Sequence, residues 1–102
     1  MTTFNARMVE GLTLDAVKAK SLAQHMRLGE ANSHFNPEVS TAQRLAMLGE
    51  CVGASFKYGA LNSDPVRLQD ALLELAAYAA TWAEMLDKEH LARKFEWLVT
   101  NQ

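Results

Sequence analysis

The chain has 102 residues, 49% of them apolar, with 10 basic and 12 acidic side chains and a formal net charge of −2. That length is about one domain and that composition is a folded globular chain's, which excludes a disordered segment. The scattered Lys and Arg exclude the basic footprint of nucleic-acid binding, and no apolar run reaches the roughly 20 residues that span a bilayer, since even Leu72 to Ala83 contains Glu74.

In chain order, Met1 to Leu12 mix polar and apolar types without a period, as an arm or a short helix would. From Thr13, a capping residue, with Asp15 in the first turn, the spacing of Leu14, Val17, Leu22 and Met26 predicts an amphipathic helix over about 14–28, ended by Gly29. Asn32, Ser33, Asn36 and Pro37 form a connector, and Ser40 with Gln43 has capping-box spacing. The helix that follows carries an apolar stripe, Leu45, Leu48, Val52 and Phe56, beside a stripe of small residues, Ala42, Ala46, Gly49 and Gly53. Each of those glycines costs about 1 kcal/mol against alanine, so a close approach by another helix is the expected compensation.

The second helix should fail at Tyr58-Gly59, and Asn62 to Pro65 spell a turn with Asp64 as N-cap and Pro65 in the first helical position. A third helix over about 65–86 repeats Leu68, Leu72, Leu75, Ala79, Trp82 and Leu86 at steps of three and four, making it the core helix. Asp87 caps a fourth, with Leu91, Phe95 and Leu98 on one side. The expected fold is all-α and single-domain, a four-helix bundle or a helical hairpin that completes a bundle by dimerising. A chain this small buries only about two-thirds of its unfolded surface, which favours a homo-oligomer. The lone cysteine, Cys51, and the lack of a basic, apolar, cleavable leader point to the cytoplasm.

Arg44-Leu-Ala-Met-Leu-Gly-Glu-Cys-Val-Gly-Ala54 and Leu68-Gln-Asp-Ala-Leu-Leu-Glu-Leu-Ala-Ala77, followed by Trp82-Ala-Glu-Met-Leu86, resemble the MazG-like all-α nucleotide pyrophosphohydrolases over under half the chain. In that family two acids three residues apart on one helix face a second such pair across a hairpin. Together they hold Mg²⁺, which bridges phosphate oxygens and supplies the attacking water. The resemblance places the four ligand positions on Cys51, Ala54, Ala71 and Glu74, and of these only Glu74 suits a hard cation. It thus implies a degenerate metal site with no cofactor, in a non-catalytic protein that binds a nucleotide, a protein or itself. The alternative it implies is a divergent Mg²⁺-dependent nucleoside triphosphate pyrophosphohydrolase with Glu50, Asp70 and Glu74 as rearranged ligands.

Asp70 and Glu74, four apart, read equally well as the solvated stripe of a buried helix. Lys57, three residues after Ala54 on the same face, can put its ammonium where the family holds a cation, as a phosphate contact, or can be a plain surface lysine. Cys51, set among apolar residues, reads as a small buried hydrophobe rather than a reactive thiolate. His25, His34 and His90 lack the spacing of a zinc site. Trp82 continues the core stripe, and Trp97 is less constrained.

Overall fold

The computed structural model of the protein describes residues 10–101. Four α-helices follow one another, α1 (Gly11–Leu28), α2 (Thr41–Phe56), α3 (Pro65–Leu86) and α4 (Lys88–Thr100), with no strand among the described residues. Three of the starts are made by the expected caps. Ser40 Oγ accepts from Gln43 N at 3.1 Å, Asp64 Oδ1 from Arg67 N at 3.1 Å, and Asp87 Oδ1 from His90 N at 2.8 Å. The first helix departs from expectation: it begins at Gly11, and Thr13 is not its cap but lies in the first turn, its N–H bonded to the Glu10 carbonyl at 3.0 Å. A backbone carbonyl there starts the helix before the first apolar residue that the periodicity could register.

The second helix does not fail at Tyr58-Gly59. Its last turn widens into a π turn, Lys57–Leu61, and the Asn62 N–H reaches the Lys57 carbonyl at 2.9 Å. Leu68 of α3 lies against Gly59, within 3.4 Å of where a Cβ would stand. Ser63, at φ 49°, turns the chain so that α2 and α3 form an antiparallel hairpin.

The middle helix is α3, which packs against both α1 and α2, whereas α1 and α2 do not come together. The result is flat, 46 × 40 × 22 Å, with a Cα radius of gyration of 15.7 Å where a compact chain of this length has about 13 Å. The core is correspondingly thin. Its fully buried apolar residues are Val39, Cys51, Ala71, Ala77 and Tyr78, and an equal set of polar ones, Ser21, Gln24, Ser33, His34 and Arg44, is buried beside them.

Periodicity located the helices but misplaced their inward faces. On α1 the Leu14, Leu22 and Met26 side chains are exposed, and the helix turns Ser21 and Gln24 inward. On α2 only Leu48 of the expected stripe is even half-buried, because Arg44 and Cys51 take the seam while Leu45, Val52 and Phe56 face out. Among the described residues nothing stands within 4 Å of a Cβ built on Gly49 or Gly53, so no described helix approaches the small-residue stripe. On α3 the seam runs through Ala71, Ala77 and Tyr78, leaving Leu72 and Leu86 exposed and Trp82 half-buried rather than in the core. No residue of α4 is buried, Trp97 included. On α1 and α2 the physical cause is that buried polar side chains, Ser21, Gln24 and Arg44, have claimed the seams.

Candidate functional site

The acids singled out in the third helix face α1. Asp70, Glu74 and Tyr78 are spaced four apart along one side of α3, and Lys20, Gln24 and Arg27 are spaced four and three apart along one side of α1, so the two rows meet in parallel register. Lys20 Nζ donates to Asp70 Oδ1. Arg27 donates through Nη1 to Glu74 Oε1 at 3.2 Å and through Nη2 to the Tyr78 hydroxyl at 3.0 Å. Between them Gln24, wholly buried, donates to the Glu74 backbone carbonyl at 3.1 Å. The hydrogen bond to Glu74 raises the Arg27 pKa above its ordinary value, and the charges of Tyr78 and Glu74 add to it against the cost of burial. Burial likewise pushes the Tyr78 phenol upward, with Arg27 opposing.

The other positions scatter. Glu50 is exposed on α2. Cys51 is a buried free thiol whose pKa is raised, first by desolvation and then by the neighbouring Glu74 and Glu50 charges, the setting of an inert rather than a nucleophilic sulfur. Ala54 is half-buried and Ala71 fully so, with no donor atom to offer. Among the described residues no three His, Cys, Asp or Glu side chains are grouped to hold a metal ion. Lys57 is exposed and lies 5.4 Å from the centroid of the Tyr58 ring. The cations at the acid stripe are Lys20 and Arg27, which the sequence reading passed over; their signal was the polar 20–24–27 spacing on a helix otherwise judged by its leucines.

A second polar cluster ties the segment between α1 and α2 to the helices. Arg44 is buried and its guanidinium donates to three backbone carbonyls, Nε to Val39 at 3.3 Å, Nη1 to His34 at 2.9 Å and Nη2 to Asn36 at 2.7 Å. Asn36 organises the same turn, accepting from Glu38 N at 2.9 Å and donating to the Ala31 carbonyl at 3.0 Å. Ser33 Oγ accepts from Phe35 N at 3.1 Å and shares a hydrogen bond with His25 Nδ1 at 2.6 Å, and that imidazole stacks on Phe35 with centroids 4.8 Å apart.

His34 is 1% exposed and meets Tyr78 edge-on at 5.0 Å. Desolvation, followed by the charges of His25, Arg44 and Arg27, lowers its pKa to about 4, so it is neutral at pH 7. Its Nε2 is 2.9 Å from Ser21 Oγ, which is in turn 3.3 Å from Thr81 Oγ1, and its Nδ1 is buried without a partner. The tautomer with the proton on Nε2 leaves only an acceptor unpaired, which is cheaper than an orphaned N–H. Ser21 and His34 are at nucleophile–base distance, yet the third member of such a constellation, a group orienting Nδ1, is missing, and both side chains are buried. The arrangement holds a loop in place and does not present a nucleophile.

No family model matches the chain, and no curated protein or solved structure does either.

Proposed function

We propose that the protein is a non-catalytic helical interaction protein on a MazG-like frame whose metal site has degenerated. The observation that carries this reading is the engagement of Asp70 by Lys20 and of Glu74 by Arg27. A carboxylate already paired with an ammonium or guanidinium presents little negative field to a hard cation, and freeing it for Mg²⁺ requires breaking the pair first. Glu50, on the other helix of the hairpin, lies outside that row. This pairing of the two acids supports a reading in which the bound water that pyrophosphate cleavage requires is not generated.

Proteins of this kind act through surface, and this one carries much apolar surface: Leu45, Val52, Phe56 and Leu72 are each about half exposed or more. The partner class that fits is protein, beginning with a second copy of the chain. The compartment that fits is the cytoplasm, where a lone thiol such as Cys51 stays reduced. The direct test is pyrophosphate release from ribo- and deoxynucleoside triphosphates with Mg²⁺ or Mn²⁺, beside a Glu74→Ala control. No release and no nucleotide-dependent change in melting temperature is the expected result. Release that Glu74→Ala abolishes would establish the divergent hydrolase instead.

A further inference from the structure

The connector between α1 and α2, residues 29–39, is tied to the helices mainly through polar groups. Arg44 of α2 donates to the Val39, His34 and Asn36 carbonyls, His25 of α1 shares a hydrogen bond with Ser33, and Ser21 of α1 shares one with His34. Ser33 and His34 are buried, whereas Phe35, which stacks on His25, is 41% exposed. Both ends of the connector can pivot. Gly29 has a φ of 80° with nothing among the described residues within 4 Å of a Cβ built on it, and the Ser40 side chain caps α2 through Gln43 without calling on the connector. The α2–α3 hairpin is sealed elsewhere, by Cys51 on one helix and Ala71 on the other. A segment held by bonds that water can replace opens at a lower free energy than the helices it covers.

His34 is the group whose charge decides whether the connector can stay down. Its ring meets Phe35 at 4.5 Å and Tyr78 of α3 at 5.0 Å between centroids, Nε2 is 2.9 Å from Ser21 Oγ, and Nδ1 is buried without a partner. The charged and titratable groups facing it are His25 and Arg27 from α1, Arg44 from α2 and Tyr78 from α3. The carboxylate on that side of α3, Glu74, is taken by Arg27. A proton added to His34 would create a buried charge beside two guanidiniums, with an Nδ1–H that finds no acceptor. We propose that residues 29–39 form an acid-released latch: protonation of His34 swings the connector off α1 and α3 about Gly29 and Ser40 while the α2–α3 hairpin stays folded. The imidazole has a pKa of about 4 in the closed position against an ordinary 6.5. Above 6.5 it is neutral in both positions and closure is favoured in full. As pH falls from there toward 4 the open position takes up a proton that the closed one refuses, so the open-to-closed ratio rises about tenfold per pH unit and about 30-fold by pH 5. Opening carries Phe35 away from the groove it lines with Thr81, Glu84, Met85 and Lys88.

Two thiols read the two parts separately. In a Cys51→Ser background, Val39→Cys puts a thiol at the buried end of the connector, and in the wild-type chain Cys51 itself reports opening of the hairpin seam. Labelling rates with a dithiodipyridine reagent, each divided by the rate of the same thiol in urea at the same pH, give the opening constant of each site between pH 7.5 and pH 5. The expected result is that the Val39→Cys site opens at least tenfold more often than Cys51 at every pH, that its constant rises about 30-fold on going to pH 5, and that adding His34→Gln removes the rise. Equal constants at the two thiols make the opening global and overturn the latch. A constant that does not rise in acid, or a rise that survives His34→Gln, overturns it as well. Should a variant unfold, hydrogen exchange on the wild-type chain decides: at pH 5, peptides spanning 29–39 lose their protection at least tenfold ahead of the centres of α2 and α3, and loss in step refutes the inference.

Discussion

Replacing Arg44 with methionine tests the polar core most sharply, because two large effects oppose each other there. Arg44 is a buried cation that meets no carboxylate among the described residues, and removing a desolvated charge can stabilise a protein when well-packed apolar atoms take its place. Against this, methionine strips the Val39, His34 and Asn36 carbonyls of their donor in a segment whose Ser33 and His34 are 0% and 1% exposed. A buried polar group left without its partner costs about 1–3 kcal/mol, and hydrogen bonds to a charged donor are at the upper end. With part of the loss recovered as relieved desolvation and as water reaching the Asn36 end, the net is about 3 kcal/mol of destabilisation. That is a large fraction of the roughly 5–15 kcal/mol that holds a domain this size together. It corresponds to a fall in melting temperature of about 12–24 °C. Urea unfolding followed by circular dichroism measures it, with Arg44→Lys, which keeps the charge but gathers its donors on one ammonium in place of the planar fork, expected between wild type and Arg44→Met. A loss below about 1 kcal/mol, or a gain, would refute the view that the guanidinium organises residues 33–39.

The remaining predictions concern other parts of the same network. His34 has a folded pKa of about 4 against an ordinary value of 6.5, so between those values the unfolded chain binds the extra proton. Stability must therefore fall as pH drops through that window, by about 2 kcal/mol at pH 5 relative to pH 7.5, and His34→Gln should flatten that portion of the curve. Gly49→Ala and Gly53→Ala place a Cβ where nothing stands within 4 Å, and each should stabilise α2 by about 0.5–1 kcal/mol in thermal melts. A loss at either would reveal a close contact there. The Cys51 thiol, 5% exposed and pushed above its ordinary pKa, should react with a disulfide reagent only as fast as the chain opens, and at once in urea. Glu74→Gln, which breaks a partly solvated pair with Arg27, should cost less than about 1 kcal/mol in urea titrations.

Much of the helical framework could be read from local chemistry. Asp64 followed by Pro65, and Ser40 followed by Gln43, mark helix starts because a side-chain oxygen and a fixed φ act within one turn, and they act the same way whatever the rest of the chain does. The end of α2 was less legible, since a π turn differs from a helix stop by one hydrogen bond whose partner, the Lys57 carbonyl, carries no sequence mark. The candidate site was legible only in half: Asp70 and Glu74 were identified as a row, but not the Lys20 and Arg27 side chains that meet them from 47 or more residues away.

By itself the sequence determined an all-helical chain, the limits of α3 and the caps of α2, α3 and α4. Only the tertiary structure decided which face of each helix is inside. Apolar periodicity ranks faces by transfer free energy, and here several faces are nearly equal in that ranking. The choice among them was made by the need to pair what is buried: Gln24 with the Glu74 carbonyl, Ser21 with His34, and Arg44 with three carbonyls of the connector. A buried polar group without a partner costs as much as an exposed leucine gives up, so the polar network set the rotation of α1 and left its leucines facing out.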